Sequence, residues 1–233
     1  MEFAVKQSRM TALALPLRIA LLLGFALLPN AVSAGSAPAA DVPSLESPSL
    51  ARGAFSSMRM LLEKTFLKID VATIDVRVGK RTQAELARLG TGRQYSPAVE
   101  PEMAKAVLQA DSALIQLAFL RDVPLGRWID GVRESLASAG RAKWVDAALQ
   151  RRVSDGLPVW FKAIEADGFH EGDRILYEIR PGSLRTLVVT RAGQVLVDRV
   201  DKGGDIPRVV LASYFAPGTD YRSLLLESLF VRR

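Results

Sequence analysis

The chain reads as an α+β protein in which one curved, mostly antiparallel sheet carries helices packed on one side, and three observations point there. Residues 172–202 alternate apolar and polar with turn dipeptides between runs, which is the pattern of hairpin-linked strands. Two earlier runs, 66–78 and 112–121, share that period, while the segments between and after them follow a helical period. Strands joined by tight turns, with helices inserted as blocks, select a layered α+β domain over an alternating parallel one.

In the last quarter, Ile175, Tyr177 and Ile179 share one strand face, and Glu178 and Arg180 take the other. Pro181-Gly182 and Ala192-Gly193 supply the hairpin turns. Asp205 before Pro207 starts a helix that Pro217-Gly218 stops. Asp220 is placed as N-cap of a final helix whose stripe is Tyr221, Leu225 and Leu229, with Leu226 and Phe230 beside it. Upstream, 82–89 and 100–108 read as helices around the loop GTGRQYSP. A helix over 125–139 buries Leu125, Trp128, Ile129, Val132 and Leu136, and another over 143–153 carries Trp144. Strand 112–121 turns Ala113, Ile115, Leu117 and Phe119 inward. In strand 66–78 the apolar parity switches near Ala72-Thr73, from Leu67, Ile69 and Val71 to Ile74, Val76 and Val78. A flat strand cannot do that, so a β-bulge or a strand passing between two cores is expected, and bent strands of this kind border clefts.

The N-terminus has the layout of a secretory signal peptide over residues 1–34. Lys6, Arg9 and Arg18 precede the apolar run Ile19 to Leu28, and Val32-Ser33-Ala34 offers a small-residue cleavage site. A retained anchor is the competing reading, but a run of about ten residues is half of the roughly 20 a membrane span needs. Periplasmic or secreted localisation is therefore expected, with no membrane span after cleavage. Residues 35–50, GSAPAADVPSLESPSL, read as a flexible leader, and 51–233 as the domain. Its length of about 180 residues suffices for a real core.

Composition narrows the chemistry. With no cysteine, the chain has no disulfide framework, thiol nucleophile or thiolate metal site. The formal net charge of +6 is spread among interleaved acids, as in Asp198-Arg199-Val200-Asp201-Lys202, so no stripe for nucleic acid stands out. Neither a histidine cluster, a Gly-rich phosphate loop nor a G-x-S-x-G elbow occurs, and no metal or cofactor is expected. The single histidine, His170, sits in DGFHEGD and reads first as a turn residue, with an axial haem ligand or a general base as the lesser alternative. Trp128, Trp144 and Trp160 read first as core, yet an apolar layer between sheet and helices is also where a greasy ligand lodges.

Arg59, in FSSMRML, falls on the strand parity of Phe55, Ser57 and Leu61. By itself it is either an edge-strand surface arginine or a guanidinium set to grip a carboxylate by two parallel bonds. Lys68 and Asp70, and likewise Asp75 and Arg77, lie two apart on one face and read as local ion pairs worth about 0–1 kcal/mol. If the Lys68 side lines a pocket, Asp70 can instead pair with Arg59.

Taken together, GDR opening a strand at Gly172, APGTDYRSLLLESLF closing the chain, MRMLLEKTFLKIDVATIDVRVG over 58–79 and FLRDVPLGRWIDGVRESL over 119–136 resemble the chalcone isomerase-like family, in particular its bacterial exported members. The resemblance runs in order from about residue 52 to 230 and rests on apolar and turn patterns. It implies that Arg59 meets an acidic or enolate-like group, that Asp70, Trp128 and Ser135 stand where the isomerase has a threonine, its catalytic tyrosine and an asparagine, and that Thr219 keeps the C-terminal threonine. An indole donates one N–H and does not ionise usefully, so chalcone isomerase activity is not expected. The expected function is non-catalytic binding of a hydrophobic or amphipathic small molecule with an acidic group, through Arg59, Asp70, Trp128 and Thr219. Alternatives are an isomerase or intramolecular lyase acting on an unsaturated carbonyl compound, and an envelope scaffold or interaction protein.

Overall fold

The computed structural model describes residues 41–64, 69–203, 205–219 and 221–231. The segment read as a signal peptide, Lys68 and Asp220 lie outside these residues, as does the Asp70 side chain. Six strands form one sheet in sequence order: β1 (Ser57–Lys64), β2 (Ile69–Val78), β3 (Ala113–Phe119), β4 (Arg174–Arg180), β5 (Ser183–Val189) and β6 (Val195–Lys202). Every neighbouring pair is antiparallel. Helices α1 (Lys80–Gly90) and α2 (Glu100–Leu108) are inserted between β2 and β3, and α3 (Leu125–Arg141) and α4 (Ala147–Trp160) between β3 and β4. Two more, α5 (Asp205–Phe215) and α6 (Arg222–Glu227), follow β6.

The main core lies between the helices and the sheet face carrying Met58, Met60, Ile74, Val76, Ile115, Ile175, Tyr177 and Val188. Each helix contributes its stripe to the same cluster: Leu86 from α1, Met103 and Val107 from α2, Ile129 and Leu136 from α3, Leu157 from α4, Phe215 from α5 and Leu225 from α6. Phe119 stacks on Phe169 at 4.3 Å between ring centroids, and Trp128 leans on Phe161 at 4.5 Å, so aromatic area closes the β3 end of the layer. Glu100, opening α2, gathers the C-terminal pieces: its carboxylate accepts from Tyr95 Oη (2.5 Å) and Ser223 Oγ (2.9 Å) and pairs with Arg222 at 2.6 Å.

Most expected elements occur, including the α2 bounds and the turns at Gly182 and Gly193, whose φ values of 69° and 86° are glycine's territory. Two expectations are corrected. Helix α4 begins after Asp146, whose side chain caps Leu149 N at 2.8 Å, and continues through Pro158 to Trp160. Gly156 and Pro158 look like breakers, but burial of Val153 and Leu157 holds the helix through them. Gly156 also has a positional reason, since a Cβ there would fall 2.2 Å from the Trp160 ring.

The second correction concerns the leader. Over residues 41–50 it is not a free tether: Leu50 is buried, and Val42 and Leu45 pack beside it on Leu114, Leu176, Leu187 and Val189 of the sheet's other face. Arg185 Nη1 donates to Asp41 O at 2.7 Å, Arg77 pairs with Glu46 at 3.5 Å, and Ala51 N donates to Val78 O at 2.9 Å. A sheet buried on both faces needs apolar residues at both parities, and the strap supplies the second cover.

Candidate ligand cavity

The register shift between β1 and β2 falls where Leu62 faces Ala72 and Glu63 faces Asp70, leaving Val71 as the extra residue. This is the bulge that the parity switch called for, and it opens the helix-facing side of the sheet. Beneath it lies a half-open cavity of about 240 Å³. Its sheet wall is Leu62, Val71, Ile74, Leu117 and Phe119; its helix wall is Trp128, Val132 and Ser135 of α3 with Ser213 and Tyr214 of α5, and Tyr221 closes one side. Trp128, Val132 and Ser135 fall on one helix face because they are four and three residues apart.

The wall is less polar than its composition suggests. Ser135 Oγ donates to Gly131 O at 3.0 Å and Ser213 Oγ to Val210 O at 2.8 Å, so both hydroxyls are turned back onto their own helices. The Tyr214 phenol is held well above its ordinary pKa, first by burial and then by the neighbouring phenols Tyr177 and Tyr221. It stays protonated and neutral throughout the physiological range.

Among the described lining residues, charge falls at the rim, where the loop after β3 and the first turn of α3 place Arg121, Asp122 and Arg127. Asp122 is engaged: it accepts from Glu171 N at 2.9 Å and stands 3.6 Å from His170 Nδ1. His170 is thus the expected turn residue, exposed, with its own N–H donating to Asp173 Oδ2 at 2.9 Å. Neither Arg121 nor Arg127 forms an ion pair with any described residue. Two exposed guanidiniums, neither ion-paired to a described residue, thus stand beside Asp122 at the mouth of an apolar hollow.

The residues singled out from sequence are not brought together. Met58, Met60 and Leu62 take the inward positions of β1, so alternation turns Arg59 to the outer face, where its side chain is 59% exposed and sits 3.5 Å from Asp75. The expectation that Arg59 points into a ligand cavity is therefore corrected. The Asp75–Arg77 pairing is corrected with it, because Asp75 meets Arg59 and Arg77 meets Glu46. Asp70 stands opposite Glu63 at the bulge. Thr219 Oγ1 lies 2.9 Å from Ala216 O and 3.1 Å from Tyr214 O, tying off the end of α5 rather than facing the cavity. Trp128 does line the cavity, 9% exposed, and is also part of the aromatic core. Arg121 and Arg127 are not among the residues expected from sequence; the signal for them is RDVPLGR, which sets them six apart around a helix start, a spacing that returns both to one end of the helix.

No family profile matches the chain, and no curated protein matches it in sequence. Among solved structures it is similar to a fatty-acid binding protein of Arabidopsis thaliana, with a TM-score of 0.53, 14% identity, and coverage of 81% of this chain and 92% of that one. At that identity the likeness speaks to architecture: the sheet with its helices on one side has the chalcone isomerase-like fold.

Proposed function

We propose that this protein is a non-catalytic carrier or sensor of an amphipathic small molecule, a fatty-acid-like chain with an acidic head. The tail lies between the bulged sheet and α3, against Ile74, Leu117, Trp128 and Tyr214, and the head group meets Arg121 and Arg127. The observation that carries this reading is the pairing of an apolar hollow with two rim guanidiniums, neither of which is ion-paired to a described residue. The fatty-acid binding of the structural neighbour supports it by analogy of fold. Among the described lining residues the ionisable groups are those two arginines, the engaged Asp122 and the phenols of Tyr214 and Tyr221. None of these is a carboxylate or imidazole free to act as a base at neutral pH, which favours binding over turnover.

The proposal includes action outside the cytoplasm, as an exported member of the chalcone isomerase-like group. Its support is the charged-then-apolar N-terminus ending at Ala34, and N-terminal sequencing of the protein recovered from cells tests it: a mature chain starting at Gly35 is expected.

Titration of the purified protein with dodecanoic acid and dodecanol, followed by tryptophan fluorescence and calorimetry, tests the ligand reading. The Arg121→Ala/Arg127→Ala double variant is expected to bind the acid about tenfold more weakly while keeping its affinity for the alcohol, the loss of charge-assisted bonds alone. Arg59→Ala is expected to bind both as the parent does. Equal loss for acid and alcohol, or no binding by the parent protein, would overturn the assignment.

A further inference from the structure

Deeper in the same layer, α3, α4 and α5 enclose a second cavity of about 60 Å³ against β4, β5 and β6. It shares Val132, Ser213 and Tyr214 with the larger one, so these three side chains separate the two chambers. One wall of the inner chamber is polar. Tyr177 on β4 is the register partner of Thr186 on β5, and Thr186 is the partner of Arg199 on β6, so a phenol, a hydroxyl and a guanidinium form a row across three strands.

Arg199 is fixed in this row by two contacts. Its guanidinium carbon stands 3.6 Å above the Trp160 ring, and its Nη2 is paired with Asp201. Of its other two nitrogens, Nη1 is buried with no hydrogen-bond partner. A buried donor left without an acceptor is rare and calls for a partner of the matching kind. Because Asp201 already balances the guanidinium charge, the partner that fits is a neutral acceptor; a second carboxylate would be set against Asp201.

Resting on the ligand-binding reading above, we propose that the inner chamber receives the far end of the bound chain and that Arg199 Nη1 hydrogen-bonds a terminal hydroxyl there. The preferred ligand class is then an ω-hydroxy fatty acid, with its carboxylate at Arg121 and Arg127 and its hydroxyl at the Tyr177–Thr186–Arg199 row. Val132, Ser213 and Tyr214 set the length at which a chain crosses from one chamber to the other.

Calorimetric binding of a series from decanoic to hexadecanoic acid, each with its ω-hydroxy and α,ω-dicarboxylic analogues, tests this. The parent protein is expected to prefer the ω-hydroxy acid over the plain acid by about tenfold at the lengths that reach the row, and to disfavour the diacid. Arg199→Met keeps an apolar side chain over Trp160 and is expected to erase the preference while plain acids bind unchanged. Val132→Phe leaves Arg199 and its partners intact and is expected to erase the preference by blocking passage between the chambers. Plain acids binding as tightly as hydroxy acids at every length, or a preference that survives both substitutions, would overturn the inference and leave the carrier reading standing. Failure of every acid to bind would remove both.

Discussion

Asp173 shows how a short sequence signature becomes a structural joint. It is 3% exposed, and its two carboxylate oxygens accept from His170 N at 2.9 Å and Arg191 N at 3.1 Å. One carboxylate therefore ties the turn entering β4 to the turn leaving β5, and Gly172, at φ 90°, brings the backbone against the Arg191 side chain. The GDR string is thus explained by turn chemistry, with no ligand required. Asp173→Ala is expected to lower stability by about 2–3 kcal/mol, since it leaves two donors unsatisfied in a buried turn, and Asp173→Asn by less, because one amide oxygen still accepts. Urea denaturation of the three proteins checks this; an Ala variant within about 0.5 kcal/mol of the parent would remove the joint from the account. Arg59 is the opposite case at this scale. Its residue type suited a carboxylate, but the direction of a β1 side chain is decided by which parity the core claims, and Met58 and Met60 were less obvious claimants than Phe55 and Leu61. The rim arginines are not legible from residue type and parity, because they line one cavity only once the loop after β3 folds back to start α3.

At the scale of elements, what was legible followed period and turn chemistry. The strands of the last quarter, α2, α3, the α5 start and the bulge near Val71 could all be read because each is specified within its own segment. The strap over residues 41–50 could not, since its composition is that of a linker and its order comes from distant partners, Leu114, Leu176, Leu187 and Val189. Those partners carried the clue: β3, β4 and β5 are apolar at both parities, which a sheet covered on one face has no use for. It follows that a chain beginning at Ala51, the boundary that composition suggests, uncovers an apolar patch on the outer face. Such a truncation is expected to lose solubility and to denature at lower urea than a chain beginning at Gly35, and Leu50→Ala in the longer chain to cost about 2 kcal/mol. Equal midpoints and equal monomer fractions by gel filtration for the two lengths would show the strap to be dispensable.

Across the whole molecule, the response to alkali is set by phenols rather than by ion pairs. Every described ion pair other than His170–Asp122 uses arginine, which keeps its proton at any pH in the folding range, so raising the pH through the lysine range dismantles none of them. The tyrosines behave differently. Tyr95 is pushed up to about 12 by burial first and then by its hydrogen bond to Glu100, while Tyr177 and Tyr214 are raised, first by burial. A raised phenol pKa means that the folded protein holds a proton the unfolded chain gives up near pH 10. The stability it contributes is therefore complete below about pH 10 and is lost progressively as the pH climbs from there toward about 12. All three phenols act in the same direction, and they link the Glu100 junction, the partition between the chambers and the inner polar row. The urea midpoint is expected to stay level from neutral pH to about pH 9 and then to fall steeply, with the phenolate absorbance of Tyr95, Tyr177 and Tyr214 rising as the protein unfolds. In Tyr95→Phe the early part of that fall should be shallower, because one of the protons released on unfolding is gone. A midpoint that holds level to about pH 11, or phenolate absorbance that develops fully in the folded protein, would mean that these phenols reach water and that the layer between sheet and helices is open to solvent.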